Sequence, residues 1–270
     1  MPLNGLGSLM TVHHLNCGSI SLPVLDAVTH VLLCEYQHGA VLIDVGLGRA
    51  DVDHPVSRIG IGGKLTFGAF DRDELAVNQL AAMGIAASDV SGIVATHLDF
   101  DHVGGVSDFP NVAVLVHERE RDAAFGRRSF KEHERYRKSH LADLAPVVEG
   151  ISTPACETLP FGMRGTALDD SETLWLLPLS GHTRGHSAIG VRTADGWLVH
   201  AGDSFFSVGT VRPDAAVEPA HRRAEKIERL LAMDKTALAS NHSTLRDAAG
   251  RGAVVICSHD RTQYEELAHR

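Results

Sequence analysis

The chain is poor in the features that mark several large protein classes. It has only four cysteines, Cys17, Cys34, Cys156 and Cys257, scattered through mostly apolar stretches with no C-x-x-C pair. That spacing suits buried small side chains rather than disulfides or metal ligands. No apolar run approaches the roughly 18 residues of a membrane-spanning helix, and aromatic residues are only 5% of the chain. Basic residues are outnumbered, 25 against 34 acidic, giving a formal charge of −9. A nucleic-acid binder normally needs a basic face, so that class is disfavoured. The start, MPLNGLGSLM, lacks a basic stretch followed by an apolar core, and a cytoplasmic location is expected. What remains is a globular composition, 44% hydrophobic and 22% charged over 270 residues, with no Pro-, Gly- or Ser-rich linker. One domain over residues 1–270 is expected. Seventeen histidines are the one marked excess.

Secondary-structure signals alternate without a clean β-α-β period. Residues 30–36 and 40–45 read as a hairpin across Gln37-His38-Gly39, and 188–192 with 197–201 as a second. Further strands are expected at 92–96, 112–116, 174–179 and 253–257. Helices are expected at 71–83, 220–233 and 261–268, with one or two surface helices within 117–140. Residues 146–171, punctuated by Pro and Gly, read as irregular. Hairpins in both halves, and a faint echo between VLIDVG ending near Asp44 and LVHAGDS at Asp203, suggest mixed sheets with helices outside. This is an α/β fold, a four-layer αββα sandwich with two mixed β-sheets.

Chemistry concentrates at strand ends. Thr96–Gly105 reads T-H-L-D-F-D-H-V-G-G. In extended chain, His97 and Asp99 project together; Asp101 and His102 diverge unless the chain turns and hands them to a second point nearby. An Asp at a helix start can simply cap backbone N–H groups. Four metal-competent side chains in six positions instead favour a dinuclear site. L-S-G-H-T-R-G-H-S places His182 on a Gly-flanked loop after a strand, H-A-G-D-S places Asp203 past another, and I-C-S-H-D does the same for His259.

Together these motifs resemble the metallo-β-lactamase superfamily. The first family motif, T-H-x-H-x-D-H, is matched by His97, Asp101 and His102, with Asp99 where the middle His normally stands. G-H-T-x-G-H is matched by His182 and His186, the bridging-aspartate strand by Asp203, the terminal histidine by His259, and the early L-I-D-x-G motif by Asp44. The resemblance implies one metal on His97, Asp99 and His182 and a second on Asp101, His102 and His259, with Asp203 bridging. It further implies a metal-bridging hydroxide attacking a carbonyl, with Asp101 carrying a proton to the leaving oxygen. Two divalent ions, most simply zinc, would be the cofactor. Asp99 adds an oxygen ligand and a negative charge, which would favour harder ions such as Mn2+ or Fe2+. The alternative is that Asp99 turns away and the first position is weakly held.

Length and the terminal S-H-D resemble the lactonase and small-ester hydrolase branch, including N-acyl-homoserine lactonases. Those enzymes commonly carry a Tyr three residues after the bridging Asp, where this chain has Phe206. Phe205 and Phe206 would then give the pocket an apolar wall. His186 is expected to orient a ligand, and His200 to point away. His221 is placed where it could reach the cleft. The remaining histidines, His269 among them, have no partner spacing. The charged stretch 118–138 reads as a solvated face, or as a cover bringing Tyr136 or an arginine to the substrate. A thioester hydrolase of the glyoxalase II type, or a metal-binding protein without turnover, are the rival readings. The expected partner is a small-molecule substrate, with the chain alone or as a homodimer and with neither nucleic acid nor membrane.

Overall fold

A computed structural model describes residues 2–22, 25–67, 70–126, 129–154, 156–212 and 219–268. Two six-stranded sheets carry the fold. The first runs in chain order: β1 (Leu9–Leu22), β2 (Leu25–Tyr36), β3 (Gly39–Ile43), β4 (Val90–Val94), β5 (Val114–His117) and β6 (Val148–Ile151). It is antiparallel up to β3 and parallel from β3 to β6. The second has the order β12 (Val254–Ile256), β11 (Gly196–His200), β10 (Ser187–Thr193), β9 (Leu174–Pro178), β8 (Arg164–Ala167) and β7 (Glu157–Thr158). Among the described residues, only the β11–β12 pair is parallel there. Both sheets are therefore mixed, as expected.

Strand alternation makes the layers. On β3, Val41 and Ile43 face the second sheet, joining Leu32, Val94, Leu176, Ile189 and Ile256 in the central core. Ala40 and Leu42 face the other way, into a core with Ile59, Val77, Leu80 and Ala124 from outer helices. The second sheet turns Leu177, Val199 and Val255 onto Leu245 and Ala248 of an outer helix. Central strands buried on both faces need continuous apolar runs, which explains AVLI and GIVAT. Each such Leu, Ile or Val contributes about 1.5–3 kcal/mol on burial.

The helices are α1 (Arg49–Asp53), α2 (Pro55–Phe67), α3 (Ala76–Ala82), α4 (Phe100–Val103), α5 (Glu118–Phe125), α6 (Phe130–Arg135), α7 (Lys138–Leu144), α8 (Pro219–Leu231), α9 (Lys235–Gly250) and α10 (Arg261–Ala268). Among the described residues, no helix is long and apolar enough to cross a membrane.

Several expectations need correction. Residues 146–171 are irregular only in part: they also contribute β6, β7 and β8, short strands whose pairing is supplied by the neighbouring sheet rather than by apolar pattern. Residue 155 lies outside the described residues, as do 127–128 in the charged stretch and His269. The helix expected over 71–83 starts only at Ala76, because Leu75 is extended and follows a separate 3-10 turn, Arg72–Glu74. Strand β1 and helices α2 and α9 have no counterpart in the sequence reading. For α9 a signal existed: the Asp234 carboxylate accepts from the N–H groups of Thr236 and Ala237, a regular helix start.

Candidate metal centre

The seven residues singled out by motif converge where strands of both sheets end. His97 follows β4, and the chain turns at extended Asp99 (φ −68°, ψ 149°) into α4, which carries Asp101 and His102. His182 lies in the β9–β10 loop, Asp203 in a 3-10 turn (Gly202–Ser204) after β11, and His259 after β12. The turn at Asp99 is what brings Asp101 and His102 round to a second point.

Asp203 stands at the middle with its two oxygens facing opposite groups. Its Oδ2 lies 3.4 Å from His182 Nε2 and 4.0 Å from His97 Nε2. Its Oδ1 lies 3.2 Å from both His102 Nε2 and His259 Nε2. Asp99 Oδ2 is 3.2 Å from His97 Nε2 and 3.1 Å from His182 Nε2. Asp101 Oδ2 is 3.7 Å from His259 Nε2. Tetrahedral ligands bonded at about 2.0–2.1 Å stand roughly 3.3 Å apart, so the closest of these separations are those of a coordination shell.

Three groups could each hold an ion: His97, Asp99 and His182; His97, His102 and Asp203; Asp101, His102 and His259. His97 Nε2, His102 Nε2 and Asp203 Oδ1 are buried and receive no hydrogen bond. Buried polar atoms without partners are costly, and a cation would satisfy all three at once. The donor set therefore fits divalent metal.

Neighbouring groups fix the rings. His102 Nδ1 donates to Asp44 Oδ2 (2.8 Å) and His259 Nδ1 to the Val28 carbonyl (2.8 Å), which leaves each Nε2 lone pair pointing at the centre. Asp44 also accepts from the Thr96 N–H (2.7 Å) and hydroxyl (2.8 Å), and that hydroxyl in turn meets His97 Nδ1 (3.0 Å). Asp44 holds this position with φ 58°, a left-handed backbone that Asp tolerates better than most residues. His186 behaves as expected of a supporting group: its Nε2 accepts from the Asp203 N–H (3.0 Å). Gly202 (φ 52°) makes that approach feasible, since a Cβ there would stand 2.6 Å from His186 Nε2. His200 turns away and donates to the His30 carbonyl (2.7 Å).

Electrostatics follow from the crowding. Burial opposes ionisation of Asp203, but His259 and His102 outweigh it and hold the carboxyl well below the usual range. Burial opposes charge on His102 and His259, while Asp203 foremost among the nearby carboxylates raises both. Asp99 also sits well below the carboxylate range: burial is overcome by the Arg135 guanidinium and by His97. His182 is pushed down to about 4 by burial and then by Arg135.

A cavity of about 560 Å³ opens onto the centre. Asp99, Asp101, His182, Asp203 and His259 form its polar floor, and Phe67, Phe100, Phe206, Ile227, Leu230 and Leu231 are among its apolar walls. Of the residues named for substrate contact, only Phe206 lines it. Phe205 is fully buried in the outer core with Val211 and Leu245, because successive side chains point to opposite sides of the chain. Tyr136 is buried too, and its hydroxyl donates to Glu120 (2.9 Å). His221 packs beneath Gly209, 3.5 Å from Glu225, and does not line the cavity. Among the described residues, the arginine of the charged stretch that reaches the cleft is Arg135, on α6.

Glu120 went unnoticed among the charges of ERERD. It is fully buried on α5 and accepts from Leu98 N (3.1 Å), Thr183 Oγ1 (2.7 Å) and Gly185 N (3.0 Å), as well as from Tyr136. It therefore ties the His97–His102 segment to the His182–His186 loop. No spacing signal separates it from Glu118 two residues earlier, which is only part-buried.

Two mixed sheets under outer helices, with an Asp- and His-lined centre at their common edge, define an α/β sandwich metallo-hydrolase. The chain belongs to the metallo-beta-lactamase superfamily, whose family model matches residues 24–259. It is 35% identical over 263 residues to a protein of Mycobacterium tuberculosis named a probable metallo-hydrolase, covering 96% of this chain and 83% of that one. Over 100 residues it is 30% identical to an N-acyl homoserine lactonase of Bacillus thuringiensis, covering 36% of this chain and 40% of that one. A solved N-acyl homoserine lactone hydrolase, with N-hexanoyl-L-homoserine at its catalytic metal center, superposes with a TM-score of 0.67 at 19% identity. The match covers 96% of each chain and speaks to the fold.

Proposed function

We propose that this metallo-hydrolase opens a lactone or a small carboxylic ester. The observation that carries the reading is the cavity: an apolar chamber whose floor is the Asp/His cluster itself, so an acyl group in it would present its carbonyl to that cluster. The stretch shared with the Bacillus lactonase and the fold shared with the lactone hydrolase support the same substrate class.

His97, Asp99 and His182 would hold one divalent cation, Asp101, His102 and His259 a second, and Asp203 would serve both through its two oxygens. Such cations, when bound, lower the pKa of water and polarise a carbonyl. Asp101 would hold the ion through Oδ2, the oxygen nearer His259 (3.7 Å). Its Oδ1 would take the proton released by the attacking water and pass it to the leaving oxygen. Phe206 and Leu231 exclude water around the acyl group. Lys131, also lining the cavity, carries the N–H donor that Phe206 lacks.

A panel of lactones, esters and thioesters tests this with zinc-, manganese- and iron-loaded protein. Lactone or ester turnover that disappears in Asp203→Asn supports the proposal. Metal uptake without turnover of any of these substrates, or turnover confined to thioesters, rules it out.

A further inference from the structure

The two halves of the centre differ in one respect that the family motif does not foretell. Around Asp101, His102 and His259 the ion pairs among the described residues join carboxylate to imidazole, with no arginine or lysine in them. At the other half stands a permanent cation. The Arg135 guanidinium pairs with Asp99 Oδ2, and the same Nη1 approaches His182 Nε2 at 2.6 Å. Its Nη2 donates to the Leu231 carbonyl at 2.7 Å, at the end of α8.

An imidazole nitrogen has one lone pair, and arginine can only donate. His182 Nε2 therefore gives that lone pair either to Arg135 or to a metal ion. Asp99 Oδ2 is likewise shared between Arg135 and the ion-holding group of His97, Asp99 and His182. A histidine at position 99 would carry no charge to hold a guanidinium there; the aspartate does. Arg135 is itself largely buried, with its side chain 9% exposed, so it is not a solvated lysine-like fringe.

We propose that Arg135 competes with a divalent cation for the Asp99–His182 position. The chain then fills the Asp101–His102–His259 position first, and takes a second ion only when Arg135 withdraws. The inference rests on the metallo-hydrolase reading and adds an order of filling. Because Nη2 is tethered to the Leu231 carbonyl on the cavity wall, withdrawal also loosens the α6–α8 contact.

Titration of metal-free protein with Co2+, followed by calorimetry and by the visible absorption of the bound ion, tests this without any turnover assay. The wild type should show two steps, the second weaker by at least about tenfold, the scale on which a neighbouring group moves metal affinity. Arg135→Met should tighten the second step by about that factor and leave the first in place, and Asp101→Asn should weaken the first. Equal steps in the wild type overturn the proposal. So does an Arg135→Met second step that is unchanged or weaker, which would make the guanidinium a support for Asp99. If that variant does not fold, Arg135→Gln and the two wild-type steps decide. Failure of the wild type to bind Co2+ at all would instead remove the metal-centre reading beneath it.

Discussion

Replacing Glu120 by Gln isolates the tie between the two ligand-bearing segments. Each carboxylate oxygen serves one backbone N–H and one hydroxyl: Oε1 takes Leu98 N and Tyr136 OH, Oε2 takes Gly185 N and Thr183 OH. The hydroxyls can rotate to accept from an amide, but the backbone groups cannot. Whichever way the Gln turns, one buried N–H faces an NH2 and loses its acceptor, at a cost of about 1–3 kcal/mol. The bonds that survive lose their charged acceptor, roughly another 1 kcal/mol each. Glu120→Gln should therefore destabilise the metal-free protein by about 3–5 kcal/mol. Urea unfolding at neutral pH measures this, provided the slope with denaturant stays constant. A loss below about 1 kcal/mol would refute the assignment of Glu120 as the shared acceptor.

Asp44→Asn keeps a residue that tolerates φ 58° but removes the charge that aligns His102. Metal affinity should fall on the order of 10–100-fold in competition with a chelating dye, and an unchanged affinity would refute the orienting role. Acid should also weaken the fold through a second histidine group, outside the centre. His14 Nδ1 meets His30 Nε2 at 2.8 Å, and His200 donates to the His30 carbonyl. Burial lowers His14 to about 4 and sets His30 well below its ordinary value and His200 below it. Unfolded histidines take up protons near pH 6.5 while these do not, so nothing is lost above that pH. Stability then falls as pH drops toward about 4, by up to about 1.4 kcal/mol per pH unit for each fully buried ring. The half-buried His14 should contribute less. Urea midpoints of the wild type and His30→Gln between pH 7 and 5 check this; parallel curves would contradict it.

The centre was far more legible in the sequence than the scaffold around it. Metal ligation needs particular side chains at particular spacings, so T-H-L-D-F-D-H, G-H-T-R-G-H and the isolated Asp203 and His259 stand out. The strands with continuous apolar runs, such as AVLI, were equally plain because burial on both faces leaves only one kind of residue. Strands β6 to β8 were not, since pairing with neighbouring strands rather than hydrophobicity makes them. Arg135, Glu120 and Tyr136 share one charged stretch in which local pattern cannot tell a solvated face from a buried polar network. Three-dimensional neighbours decide that, and they come from residues 98, 99 and 182–185. Phe205 and Phe206 show the same limit: adjacent residues of one chemistry, one in the core and one on the cavity wall.

Half of the centre descends from each sheet: residues 97–102 follow β4 of the first, and 182, 203 and 259 follow strands of the second. Coordinating an ion is thus also a clasp across the seam of the sandwich. Neither half of the polypeptide can assemble the donor set alone, so the site exists only after the long-range docking of both sheets is complete. The unfolded chain keeps only the local His97–His102 cluster and not the full donor set, so the extra binding energy of the folded site helps hold the two sheets together. Resistance to heat or denaturant should therefore track the free metal concentration, and a chelator should act on this protein as a mild denaturant.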